Sequence, residues 1–273
     1  MIETLSQMFS YTFILRAILV GGLVALCASL LGVSLVLKRY AMIGDGLSHV
    51  GFGCLAIATA MNWAPLEVTI PVVVVAAFLL LRISDSSKIK GDSAIAMIST
   101  GALALGVLVA SKTTGMNTDI YNYLFGSILA MSRSDVVLSF VLSAVVLVLF
   151  VVFYHRIFAV TFDESFAKAT GTKTGIYNML IAFLTAVTIV LGMRMMGSLL
   201  ISSLIIFPAL TAMRLCKSFK SVVICAALVS VFCVFTGILC SFVYSTPTGA
   251  SIVTVNIVVF LVFSLLRWIR GLR

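Results

Sequence analysis

A chain of 273 residues that is 62% hydrophobic and only 10% charged lies far below the roughly 25% charged content of a soluble domain. Residues 1–273 therefore read as one integral membrane domain, all-α and polytopic, with no room for a separate soluble catalytic domain. The net charge of +9 excludes a nucleic-acid partner, because the basic residues stand singly between apolar runs, the pattern that sets membrane topology.

In chain order, residues 12–37 form the first predicted span. This segment is too long for a signal peptide and lacks a small-residue cleavage site, so it is expected to stay. Lys38-Arg39 stops it, and residues 42–61 follow as the second span. Pro65 and Pro71 flank the start of the third, which ends near residue 83. A polar loop precedes the fourth span, residues 94–111. Residues 123–131 are apolar but too short to cross, and are predicted to form a re-entrant or interfacial helix. Residues 136–154, 176–193, 196–213, 221–244 and 250–266 complete nine crossings, or eight if one short segment is lost.

Nine crossings put the termini on opposite sides. With the C-terminus cytoplasmic, all but Arg16, Lys112, Arg133 and Arg194 of the 18 Lys and Arg fall inside, as the positive-inside rule requires for a multi-pass protein of the plasma membrane. The six cysteines contain no Cys-x-x-Cys and mostly lie within apolar runs, so they read as packing residues.

The second span carries Gly44-Asp45-Gly46-Leu47-Ser48-His49. On a helix, residues four apart share one face, about 6 Å apart along the axis. Asp45 and His49 can then offer an oxygen and a nitrogen to one divalent cation such as Zn²⁺ or Mn²⁺. An ionisable pair inside a membrane is a functional candidate, because a central carboxylate costs about 2.5–3.5 kcal/mol to insert. Asp45 follows Arg39 closely, which places it near the inner surface unless Gly44 and Gly46 break the helix.

Residues 159–171 read as a short cytoplasmic helix. Thr161 with Glu164 makes a capping box, Asp163 suits the positive helix start, and Gly171 suits the C-terminal end. Phe162, Phe166 and Ala169 form an apolar edge; it could lie on the inner leaflet, but the acidic start of the helix suits a groove on a partner protein better. No Gly-x-x-x-x-Gly-Lys-[Ser/Thr] loop is present, so a pump would need another chain to hydrolyse nucleotide.

His155 reads as interfacial, Met193, Met195 and Met196 as packing, and Glu3, Glu67, Asp119 and Asp135 as outer acidic residues. With two histidines and no His-Glu-x-x-His, an intramembrane enzyme is poorly supported.

Four stretches resemble the membrane permease of the zinc/manganese/iron class of ATP-binding-cassette importers: residues 38–49, 161–167, 196–209 and 245–250. The glycine at 46 and Val50-Gly51-Phe52 depart from the commonest pattern. The resemblance implies a homodimeric or paired permease that is not itself an enzyme and binds no permanent cofactor. It would be fed metal by an extracytoplasmic metal-binding protein and driven by two ATPase subunits. It implies zinc as the favoured transported ion and manganese next. Asp45 and His49 match the metal-pathway positions; Thr161, Phe162, Asp163, Glu164, Phe166 and Gly171 match the coupling helix; Ser202 and Pro208 fall on the pore-side helix. The competing expectation is a secondary metal transporter driven by an ion gradient.

Overall fold

Apolar runs of 19 to 26 residues can satisfy their backbone groups in lipid only as helices or closed barrels, and these fold as helices. The computed structural model describes residues 11–86, 91–113, 117–126 and 133–271, and among them there is no strand. The helices are α1 (Thr12–Leu37), α2 (Ala41–Ala60), α3 (Pro65–Ser86), α4 (Gly91–Lys112), α5 (Asn117–Phe125) and α6 (Arg133–Val152). They continue as α7 (Tyr154–Phe162), α8 (Glu164–Ala169), α9 (Thr174–Met196), α10 (Ile201–Leu215), α11 (Phe219–Tyr244) and α12 (Thr248–Ile269).

Eight of these are long and apolar enough to span a membrane: α1 to α4, α6, α9, α11 and α12. The predicted seventh span is shorter than expected. Gly197, at φ +85°, ends α9, residues 197–200 form a turn, and α10 keeps only 15 residues. Its length of about 22 Å falls short of the roughly 30 Å hydrocarbon layer.

The short helix expected over residues 123–131 also moves. It is α5, which starts at Asn117 and ends at Phe125; residues 127–131 lie outside the described segments. Gly126 ends it at φ +78°, with its N–H on the Asn122 carbonyl at 2.8 Å. The amides of Ser198 and Leu199 then donate to the carbonyls of Tyr123 and Leu124 at 2.8 and 3.3 Å. The Tyr123 hydroxyl meets that of Thr59 at 3.0 Å. In this way α5 is tied to the α9–α10 turn and to the far end of α2.

The central helix is α1, packed against α6, α9, α10 and α11. Beside it, α2 packs most extensively on α4, through positions that have no space for a side chain. A Cβ at Gly53 would lie 2.6 Å from the Ala102 carbonyl oxygen, and one at Gly106 2.8 Å from the Gly53 Cα. Ala56 and Ala60 continue this seam against Ala110. In lipid, where apolar burial does not drive helices together, such close backbone approach supplies the packing energy.

Gly53→Val is therefore expected to destabilise the protein by about 1–3 kcal/mol, as overpacking does. Gly101→Ala, at a position open to its surroundings, should leave stability unchanged or raise it. Thermal unfolding of the purified protein in detergent, followed by size-exclusion chromatography, distinguishes the two.

Candidate functional site

α2 is continuous from Ala41 to Ala60, so Gly44 and Gly46 do not break it. They serve packing instead. A Cβ at Gly44 would touch the Ile205 Cδ1 at 3.5 Å, one at Gly46 would crowd Ile95 at 2.8 Å, and Gly51 lies against Met193. With these glycines turned inward, Asp45 and His49 are held at the rim of the bundle. Asp45 is four residues into the helix, roughly 6 Å of rise beyond Ala41, and His49 is one turn further on.

The two side chains converge. His49 Nε2 is 3.6 Å from Asp45 Oδ2, with side-chain exposures of 13% and 36%. Ser202 Oγ, at the start of α10, donates to Asp45 Oδ1 at 3.2 Å. Ser48 is buried and donates to the Asp45 backbone carbonyl at 2.7 Å, so it is spent within the helix. His49 Nδ1 is buried and has no hydrogen-bond partner within the chain. Pro208, buried in α10, lacks the N–H that would bond to the Leu204 carbonyl.

One carboxylate, one imidazole and one hydroxyl converge here, oxygen and nitrogen donors of the kinds that divalent cations accept. Among the described residues no group of three or more His, Cys, Asp or Glu forms a metal cluster. The chain thus supplies two strong donors, half of a tetrahedral set. His155 is exposed on α7 and stacks edge-on against Tyr154 at 5.5 Å. Asp135 is paired with Arg194 at 2.7 Å, and Arg194 also lies 5.9 Å from the Tyr123 ring centroid.

The single helix expected over residues 159–171 is two helices with a break at Asp163. The predicted capping box does not form. Thr161 is buried inside α7, its hydroxyl without a partner. Asp163 caps α8 instead, its Oδ1 accepting from the Phe166 N–H at 2.9 Å, because its extended backbone (φ −147°, ψ 96°) aims the carboxylate at the first turn. Gly171, at φ +83°, closes the end of α8: its N–H reaches the Lys168 carbonyl and that of Thr172 the Ala167 carbonyl. Phe162 and Phe166 stand open to the outside, 76% and 66% exposed.

Glu164 does not turn back on its own helix start. It accepts from Lys38 Nζ at 2.7 Å and from Asn178 Nδ2 at 2.8 Å. Lys38 is 6% exposed and also donates to Asn178 Oδ1 at 2.7 Å and to the Val160 carbonyl at 3.2 Å. From sequence Lys38 is a charge that stops a span, and Asn178 draws no notice. The one available signal is a lone amide one turn into an otherwise apolar helix. Burial opposes the charged form of Glu164, but the bond and charge of Lys38, with bonds from Asn178 and Thr174, outweigh it and hold the carboxyl below its ordinary value.

A family profile described as "ABC 3 transport family" matches residues 10–267. The manganese transport system membrane protein MntC of Halalkalibacterium halodurans is 30% identical over 254 residues, 93% of this chain and 87% of that one. The high-affinity zinc uptake system membrane protein ZnuB of Haemophilus influenzae is 27% identical, over 92% of this chain and 96% of its own length. Among solved structures, PsaBC from Streptococcus pneumoniae in complex with Fab aligns with a TM-score of 0.87 at 27% identity, covering 96% of this chain and 95% of that one.

The lowered Glu164 carboxyl sets a pH dependence. A depressed folded-state value adds stability above the unfolded value of 4.5, and that stability is lost as pH falls through the folded value. The difference in thermal stability between wild type and Glu164→Gln should be flat from about pH 8 to pH 5 and shrink in more acidic solution. A difference that instead grows on acidification contradicts the assignment.

Proposed function

The chain belongs to the ABC 3 transport family, and from that premise we propose that it is the membrane permease of an ATP-driven importer for a divalent transition metal. The observation that carries the proposal is the Asp45–His49 gap of 3.6 Å. That gap exceeds an N–H···O hydrogen bond. Two metal–ligand bonds of about 2.1 Å at a tetrahedral angle span roughly 3.4 Å, so an ion seated between the two atoms meets both with little rearrangement. Zinc is the favoured cargo and manganese the alternative. The imidazole suits zinc, the carboxylate and hydroxyl suit either, and relatives are named for each.

A second copy of the chain completes the ligand set. A carboxylate more than a third exposed on a membrane-embedded bundle is costly against lipid. A two-fold axis beside α2 brings the same Asp–His pair from the partner opposite it and doubles the donors to four. Access then alternates between the two faces as the α2–α10 contacts at Asp45 and Ser202 shift, with the carboxylate and neutral imidazole replacing part of the water shell of the ion.

Drive enters through α7 and α8. The uncovered Phe162 and Phe166 suit a groove on an ATPase subunit, and Asp163, Glu164 and Gly171 set the shape of that surface. This end of the bundle also holds the C-terminus of α12, since α7 stacks on Phe219 at the start of α11 and α12 returns antiparallel. Its basic residues make it the cytoplasmic end of a plasma-membrane protein. The opposite end receives the ion from an extracytoplasmic binding protein.

The test is uptake of radioactive zinc or manganese by proteoliposomes holding the permease with its ATPase and binding protein. Asp45→Asn and His49→Ala should each reduce uptake by at least about 10- to 100-fold, the loss seen when even supporting groups of a metal site are removed, while the complex still assembles. The double variant Phe162→Ser, Phe166→Ser should lose co-elution with the ATPase. Full uptake by either metal-site variant, or uptake by the permease alone under a proton or sodium gradient without ATP, overturns the proposal.

A further inference from the structure

Lys38 lies where four helices meet. It caps the end of α1 and gives one donor each to the Val160 carbonyl in the last turn of α7, the Glu164 carboxylate opening α8, and the Asn178 amide oxygen in α9. An ammonium has three donors, and all three are used. The Val160 carbonyl is one of the acceptors that a helix end leaves open, where a cation is favoured. Asn178 donates back to Glu164, so the three side chains close a ring. Exposure of 6% at Lys38 removes the water that would otherwise loosen these bonds.

The link from Lys38 to α2 has no slack. Only Arg39 and Tyr40 separate it from Ala41. The Tyr40 N–H bonds to the Leu35 carbonyl at 2.8 Å and the Arg39 N–H to that of Val36 at 3.1 Å. This is the paired bonding of a closed helix end. Arg39 sits at φ +61°, a left-handed conformation that a side-chain-bearing residue holds only when its surroundings impose it. Asp45 follows one turn of regular helix after Ala41. No flexible segment therefore intervenes between Glu164 on the docking surface and the carboxylate at the metal site.

Resting on the permease reading above, we propose that Lys38, tied to Asn178 and Glu164, is a positioning strut that carries movement of α7 and α8 into α2, and through it to Asp45 and His49. Displacement of α8 by the ATPase pulls on the corner between α1 and α2, and the corner turns α2 as a rigid body. Lys38 touches neither metal nor nucleotide. Its role is to make ATP hydrolysis and ion passage one event.

The experiment uses the reconstituted complex of permease, ATPase and binding protein, with zinc or manganese as the probe. Lys38→Met should assemble with the ATPase in normal proportion and hydrolyse ATP without metal at the wild-type rate. The metal carried per ATP should fall at least about fivefold, the lower end of common site-to-site coupling. Asn178→Leu should shift the same ratio in the same direction, and Lys38→Arg, which keeps the charge and the donors, should restore most of it. Metal carried per ATP that stays within about twofold of wild type in Lys38→Met, below any ordinary coupling effect, overturns the strut. So does loss of co-elution with the ATPase, which would make Lys38 a builder of the docking surface only. If Asp45→Asn and the double phenylalanine variant behave as expected while Lys38→Met does not, the strut alone fails. If they also keep full coupled uptake, the permease reading fails with it.

Discussion

The site depends on how closely α2 can approach its neighbours. Gly46, Gly51 and Gly53 let α2 sink against Ile95, Met193 and the Ala102 carbonyl, where any larger residue would collide. In lipid this contact is also what holds the helices together. Close packing at Gly46 and Gly53 on one side and at Gly44 and Gly51 on another fixes the rotation of α2 and leaves Asp45 and His49 together at the rim. The second half of the site follows from α10. Because the chain turns back at residues 197–200, α10 starts deep in the bundle, with Ile201 packed against the Gly192 position, and Ser202 arrives level with Asp45.

Much of this was legible in the sequence, because lipid leaves few alternatives. Long apolar runs become helices, and the spacing of Asp45 and His49 on a helix makes their convergence a matter of geometry. The errors have physical causes. Residues 196–213 are apolar throughout, so hydropathy alone gives no reason to expect Gly197 to end one helix and delay the next. Its positive φ goes with a close approach to the Leu124 carbonyl, from a distant part of the chain, that leaves no room for a side chain. Thr161 and Glu164 have the spacing of a capping box, yet Glu164 finds a charged partner in Lys38, and that bond outweighs a local one. Asp163 takes the vacant role. The glycines around Asp45 suggested a broken helix from local propensity, whereas packing against α4, α9 and α10 kept it whole.

Charged side chains recur here as joints rather than as surface decoration. At one end Arg194 binds Asp135 and overlies Tyr123, securing α9 to α6 and α5. At the other, Lys38 gathers α1, α7, α8 and α9. Both pairs are more than half buried on at least one side, so each partner would be expensive to leave alone. The two ends of the bundle are thereby braced, while the contact between α2 and α10 at Asp45 and Ser202 is a single neutral-to-anion hydrogen bond.

The open phenylalanines of α7 and α8 have a consequence for the cell. These two exposed rings, on the proposed reading, face the cytosol until a subunit covers them, and a surplus of uncovered chains would be prone to self-association. On the proposed reading, the supply of this protein must track the supply of its ATPase, and synthesis of the two in fixed proportion is the simplest way to keep the rings hidden.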